Sequence, residues 1–220
     1  MNIVKNIFSN FKFKRFFILL ILLILYTFVS AFYYSNAVCS DISDSVFRLH
    51  VIANSDSPAD QNLKYIVRDS IIDYINEISS SATSKEEVLQ IAKSNISKIQ
   101  SIAINTVRKE GYDYSVNVEV GNFVFPKKTY GDITFPPGFY DALKVEIGEA
   151  KGQNWWCVMF PPLCFVDVTS GIVPDESKLK MQENLSQEEY KLISQESTNV
   201  KVKFKIVEVL QNFTISGIFM

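Results

Sequence analysis

Few side chains in this sequence are placed to do chemistry. Cys157 and Cys164 have six residues between them, centred on Pro161-Pro162. A chain reversal at the prolines would set the two thiols opposite one another, and in an oxidising compartment they would form a disulfide. Closing so short a loop stabilises a fold by roughly 2.5 kcal/mol in the chain-entropy estimate, less any strain. The plainer reading is two small buried thiols that pack as hydrophobes. His50 is the one histidine in 220 residues. No Cys or carboxylate stands beside it at metal-ligand spacing, and the zinc-protease pattern is absent. The nucleophile elbow, the phosphate-binding loop and the dinucleotide fingerprint are absent as well. Its place in an alternating segment makes His50 a polar residue on a sheet face rather than a general base. What remains for hydrolysis is paired carboxylates, Asp141 with Glu146 or Glu119 with Asp113, although acids on the wet face of a strand need no such explanation. The pattern assigns no catalytic residue, no cofactor and no metal.

The elements that would carry these residues read as α+β. Phe47, Leu49, Val51 and Ala53 alternate with Arg48, His50 and Ile52, the period of a strand. Ser57 is placed to cap a helix, Pro58 fits its first position, and Asp60 completes a capping-box-like pair. The apolar stripe of that helix is Leu63, Ile66, Val67, Ile71, Tyr74 and Ile78; Gln61, Lys64 and Arg68 share the opposite side. Thr83 with Glu86 opens a second helix, whose stripe of Val88, Ala92, Ile96, Ile99, Ala103 and Val107 runs to about Glu110 before Gly111 ends it. Strands follow at Tyr112–Val120 and Leu143–Ile147, separated by a Pro- and Gly-punctuated connection over 125–138. Trp155–Phe160 and Leu163–Val166 read as two more. The expected architecture is two helices covering one face of a largely antiparallel sheet. Residues 171–198 are polar, an arm with a short helix near 188–193. Val200–Ile206 alternates with lysines as a closing edge strand.

The first 37 residues are of another kind. Lys5, Lys12, Lys14 and Arg15 precede an uncharged stretch of 19 residues, Phe16–Tyr34, which at helical rise approaches the thickness of a hydrocarbon core. The basic flank should stay in the cytoplasm, so the rest of the chain is expected outside. Ser35-Asn36-Ala37 would suit signal cleavage, but the length favours a retained anchor. Asn36-Ala37-Val38 lacks the small residue expected directly before a lipidated Cys39. The other 183 residues carry 18 basic and 24 acidic side chains, a net charge of −6. That balance, with no basic run interleaved with aromatics, argues against nucleic acid as a partner. The division is 1–37 as signal peptide or signal anchor, 43–170 as an exported α+β domain, and 171–220 as a polar arm with a C-terminal strand.

Two runs are specific in composition: Arg48-Leu49-His50-Val51-Ile52-Ala53-Asn54-Ser55-Asp56-Ser57, and Gly148 to Phe165, which places Trp155 and Trp156 beside a Gly-rich turn. With Asp60-Gln61, Leu63-Lys64 and Val67-Arg68-Asp69 they resemble the stage II sporulation protein R family over about Val46 to Val168. The resemblance implies a signal rather than a catalyst. Members are made in the forespore of an endospore-forming bacterium and exported into the space between forespore and mother cell. There they are required to activate a membrane-embedded aspartic protease of the mother cell, of the stage II sporulation protein GA type, which removes the pro-sequence of sigma-E. Composition suggests Asn54, Asp56, Gln61, Lys64, Arg68, Asn154 and Trp155 as a partner-binding surface. Against this, Asn54 and Asp56 suit turns and caps, Lys64 and Arg68 an ordinary solvated face, and Asn154 and Trp155 a turn and a core. The rival class is an extracytoplasmic cell-envelope hydrolase or binding module using paired carboxylates.

Overall fold

The computed structural model describes residues 11–164 and 173–194. Its first element, α1 (Phe11–Asp44), is one helix in which Phe13–Tyr34 is apolar and exposed, long enough to cross a bilayer. Ile42, near its end, is buried in the domain. Alternation then gives β1 (Phe47–Ile52). Helix α2 (Pro58–Ile78) opens as the sequence indicates, with Pro58 in its first turn and the Ser57 hydroxyl accepting the Asp60 N–H at 3.1 Å. The reciprocal half of the box does not form. The Asp60 carboxylate turns to Asn54 and Ser55, and the Ser57 N–H donates to the Ser55 hydroxyl at 3.2 Å.

The single helix expected over 83–110 is two, α3 (Lys85–Ser94) and α4 (Ile96–Lys109), so three helices rather than two accompany the sheet. The break falls at Asn95, whose side-chain amide donates to the Ile91 carbonyl at 2.8 Å and so competes with the backbone for it. The apolar stripe continues unbroken across this residue, which is why periodicity alone does not reveal it. The cap is Ser84, whose hydroxyl accepts from Glu87, one residue later than expected.

The strands β2 (Val116–Phe125), β3 (Lys128–Tyr130), β4 (Ile133–Phe135), β5 (Gly138–Ile147) and β6 (Asn154–Phe160) complete the sheets. The main sheet has the order β2-β5-β1-β6. β2 with β5 and β1 with β6 are antiparallel, whereas β1 and β5 run parallel, so the sheet is mixed. One face, carrying Leu49, Val51, Val118, Leu143 and Val145, is buried beneath the helices. The other is half covered by the β3–β4 hairpin. Under that hairpin Arg48 is fully buried, its guanidinium 4.2 Å from the Phe125 ring centre and 4.7 Å from that of Tyr140, donating to the Tyr130 hydroxyl at 2.8 Å. Its Nε and Nη1 have no hydrogen-bond partner among the described residues, and burial pushes its pKa down.

Of the expected strand at Leu163–Val166, Leu163 and Cys164 lie in a turn and Phe165 and Val166 lie outside the described residues. Cys157 and Cys164 are joined as a disulfide, with their Cα atoms 5.1 Å apart. Helices α5 (Asp175–Asn184) and α6 (Gln187–Ile193) follow. The second is the helix expected near 188–193, and it packs against α1 and β4. Val200–Ile206 lies outside the described residues.

Candidate functional site

The two distinctive runs of sequence meet at the end of the sheet where β1 finishes and β6 begins. Leaving β1, the chain turns through Asn54 and Ser55 into α2, while residues 148–153 fold across that turn. The Asn54 side chain bridges them: its Nδ2 donates to Asp60 at 2.9 Å, and its Oδ1 accepts the Glu149 N–H at 2.9 Å. Gly152 donates to the Ala53 carbonyl at 2.9 Å, and Asp56 accepts the Gln153 N–H at 2.7 Å. Both glycines are dictated by closeness. A Cβ on Gly148 would lie 2.2 Å from Asn54 Oδ1, and one on Gly152 the same distance from the Ser55 carbonyl oxygen; Gly148 also sits at φ +59°.

Charge in this region is turned inward. Asp60 is buried, and hydrogen bonds from Ser55 foremost, then Asn54, hold its carboxyl below the usual range despite the opposing effect of burial. Lys64 is only 2% exposed. The expectation of a solvated side shared by Gln61, Lys64 and Arg68 therefore fails at Lys64, because the 148–153 loop lies over it. Its ammonium donates to Gln61 Oε1 at 2.6 Å and to the Gln153 carbonyl at 3.1 Å, and burial lowers its pKa. Gln61 in turn donates to the Ser55 carbonyl at 2.8 Å.

Beside these turns a partly exposed cation is set among aromatics. The Arg68 guanidinium lies 4.4 Å from the Trp155 ring centre and 5.0 Å from that of Tyr65, and it is ion-paired to Asp69 at 2.6 Å. Tyr65 meets Trp155 edge-on at 5.4 Å. Trp155 Nε1 is shielded from water and has no hydrogen-bond partner among the described residues. Asn154 points to the opposite face of the sheet, as strand alternation requires, where its Oδ1 lies 2.7 Å from His50 Nε2. His50 stacks on Trp156 at 3.6 Å, and burial lowers its pKa.

All seven proposed surface residues thus come to one end of the domain, but not to one surface. Asn54, Asp56, Gln61 and Lys64 are bonded within the two turns; Arg68 and Trp155 form an outer cluster; Asn154 belongs to the other face. Tyr65 and Gln153 are parts of the arrangement that sequence reasoning missed. Only the adjacency of Tyr65 to Lys64 on the helix could have suggested the first, and nothing local signals the second, since it takes part through backbone atoms.

The paired carboxylates are not paired in space as acid–base dyads. Lys144 stands between Glu119 and Glu146, 3.3 and 2.6 Å from them, and its bond to Glu146 lowers that carboxyl's pKa. Asp141 is bonded to Lys85 at 2.5 Å; burial alone would raise its pKa, but the lysine outweighs burial and the net shift is downward. A general acid needs the reverse shift. Asp113 lies outside β2 and is exposed. Among the described residues no three His, Cys, Asp or Glu side chains are grouped to hold a metal ion.

A family model described as Stage II sporulation protein R matches residues 43–170. A Bacillus subtilis (strain 168) protein named Stage II sporulation protein R is 40% identical over 139 residues, covering 63% of this chain and 62% of that protein's length. No solved structure matches.

Proposed function

The chain belongs to the stage II sporulation protein R family, and on that premise we propose that it is an exported signalling protein of sporulation. In this reading it is made in the forespore and acts in the space between the forespore and mother-cell membranes. It activates a membrane-embedded aspartic protease of the mother cell, of the stage II sporulation protein GA type, which then processes pro-sigma-E. It works as a ligand for that protease and not as an enzyme.

One observation carries the reading. The two sequence runs that carry the resemblance build a hydrogen-bonded end to the domain, and the partly exposed Arg68–Trp155–Tyr65 cluster lies beside it. An arginine packed against two aromatic rings that themselves meet edge to face, beside a hydrogen-bonded support, has the composition of a protein-recognition hot spot. The N-terminal apolar helix with its basic flank supports export, and the Cys157–Cys164 pair suits the oxidising side of a membrane.

The test is reconstitution. This protein, its cognate membrane protease and pro-sigma-E are expressed together in a non-sporulating bacterium, and removal of the pro-sequence is followed by immunoblot. Processing is expected only when this protein is present and exported. Its absence, with all three proteins present and this one folded outside the membrane, would overturn the proposal, and so would release of fragments from purified peptidoglycan by this protein alone.

A further inference from the structure

The opposite end of the sheet is built differently. Val124 in β2 and Phe139 in β5 are directly paired in the ladder, 63% and 64% exposed. Water-facing apolar residues of this size, side by side at a sheet end, call for a partner. Each adjoins a proline-containing turn: Pro126 separates Phe125 from Lys127 and Lys128, and Pro136-Pro137 leads into Gly138. Lys127 is exposed and Lys128 partly so, and neither is ion-paired among the described residues.

This is also the end from which α1 reaches the domain. β1 begins three residues after α1 ends, and its parallel register sets Arg48 level with Ala142, so α1 arrives beside the start of β5, where Phe139 lies. α1 packs on β5 and on α6, and the Tyr34 hydroxyl donates to Glu188 at 3.3 Å. That bond ties α6 to the last residue of the apolar stretch. α6 also rests on β4, the strand that feeds the Pro136-Pro137 turn, and it exposes Leu192.

We propose that Val124 and Phe139, with Lys127 and Lys128, form a second membrane contact that seats the domain on the headgroup region of a bilayer bearing anionic lipid. Apolar tips flanked by lysines are what an interfacial site needs: the tips enter the headgroup boundary and the lysines meet anionic phosphates. Two apolar side chains are far too little area for a stable protein dimer. Glu188 and Glu189 at the start of α6 carry the opposite sign, which confines the preference for anionic lipid to the Pro126 turn that holds Lys127 and Lys128.

The test goes beyond the signalling proposal, since it needs no protease. The full chain is placed in lipid nanodiscs of phosphatidylcholine with or without one quarter phosphatidylglycerol. A photoreactive residue is introduced as Phe139→p-benzoylphenylalanine or, at the other end, Tyr65→p-benzoylphenylalanine. After illumination, lipid adducts are expected at position 139 at least about fivefold above position 65 in the anionic discs. Combining Lys127→Glu with Lys128→Glu should lower the yield severalfold. Equal yields at the two positions, or crosslinks from position 139 to a second copy of the chain, would overturn the proposal. Hydrogen exchange on the unsubstituted chain is an independent readout. Residues 122–141 should exchange more slowly in anionic than in zwitterionic discs, and identical exchange would count against it.

Discussion

The two ends of the central sheet solve opposite problems. At the end holding Asn54 and Gly148, polar side chains satisfy one another so fully that few remain for an outside partner; Asp60 and Lys64 are both buried there. At the end holding Val124 and Phe139, two apolar groups are left in water, although Phe125, Phe135 and Tyr140 beside them are buried around Arg48. Interlocking buys a fixed geometry at the first end, and the cost is sensitivity: close backbone approaches and buried charges tolerate little change. The exposed Val124 and Phe139 should tolerate a great deal.

The sharpest way to break this contrast is Gly152→Ala. The added Cβ would meet backbone atoms of Ser55, which cannot swing aside, so the two turns must part. A loss of about 3 kcal/mol or more is expected, read as a large drop in thermal midpoint; a loss below about 1 kcal/mol would show that the distal turns are looser than described. Reducing the Cys157–Cys164 pair, or replacing both cysteines by serine, should cost roughly 2.5 kcal/mol and act midway between the two ends. Chemical denaturation with and without reductant measures it.

Asp60→Asn is expected to cost about 1–3 kcal/mol at neutral pH. The folded-state pKa of Asp60 is depressed, so its contribution is present above the unfolded carboxylate pKa and is lost as pH falls through the folded value. The variant should therefore converge on the parent in acid, and a constant difference across the whole titration would contradict the assigned hydrogen bonds. The smallest effect belongs to the other end. Val124→Ser with Phe139→Ser should change stability in solution by no more than about 0.5 kcal/mol; a larger loss would mean these residues belong to the core.

The same contrast governs what could be read from sequence. The start of α2 was legible because Ser57 and Pro58 act on the next few residues, β1 because alternation is local, and β6 because a run of aromatic and apolar residues ends at two prolines. The cysteine pair was legible from its spacing about two prolines. The burial of Lys64 was not, since the group that covers it, Gln153, lies 89 residues further on. Nor was the break at Asn95, where the apolar stripe continues regardless. The Val124–Phe139 pair escaped notice because both residues lie beyond the strands expected at 112–120 and 143–147; only the full ladder pairs them, with both exposed. The seven residues proposed for partner contact were picked by composition, and they gather at one end of the molecule. Composition could not separate side chains that build the support from those that lie beside it.

α1 runs without a break from the apolar stretch to Asp44, three residues before β1. Such a join makes the helix a shaft, and a shaft transmits azimuth as well as height. Each residue inserted between Tyr34 and Asp41 would turn the whole head by about 100° while raising it only about 1.5 Å. Single-residue insertions there would aim the Arg68 cluster in successive directions from a nearly constant elevation, so the compass bearing of the signal could be varied while its reach is held still.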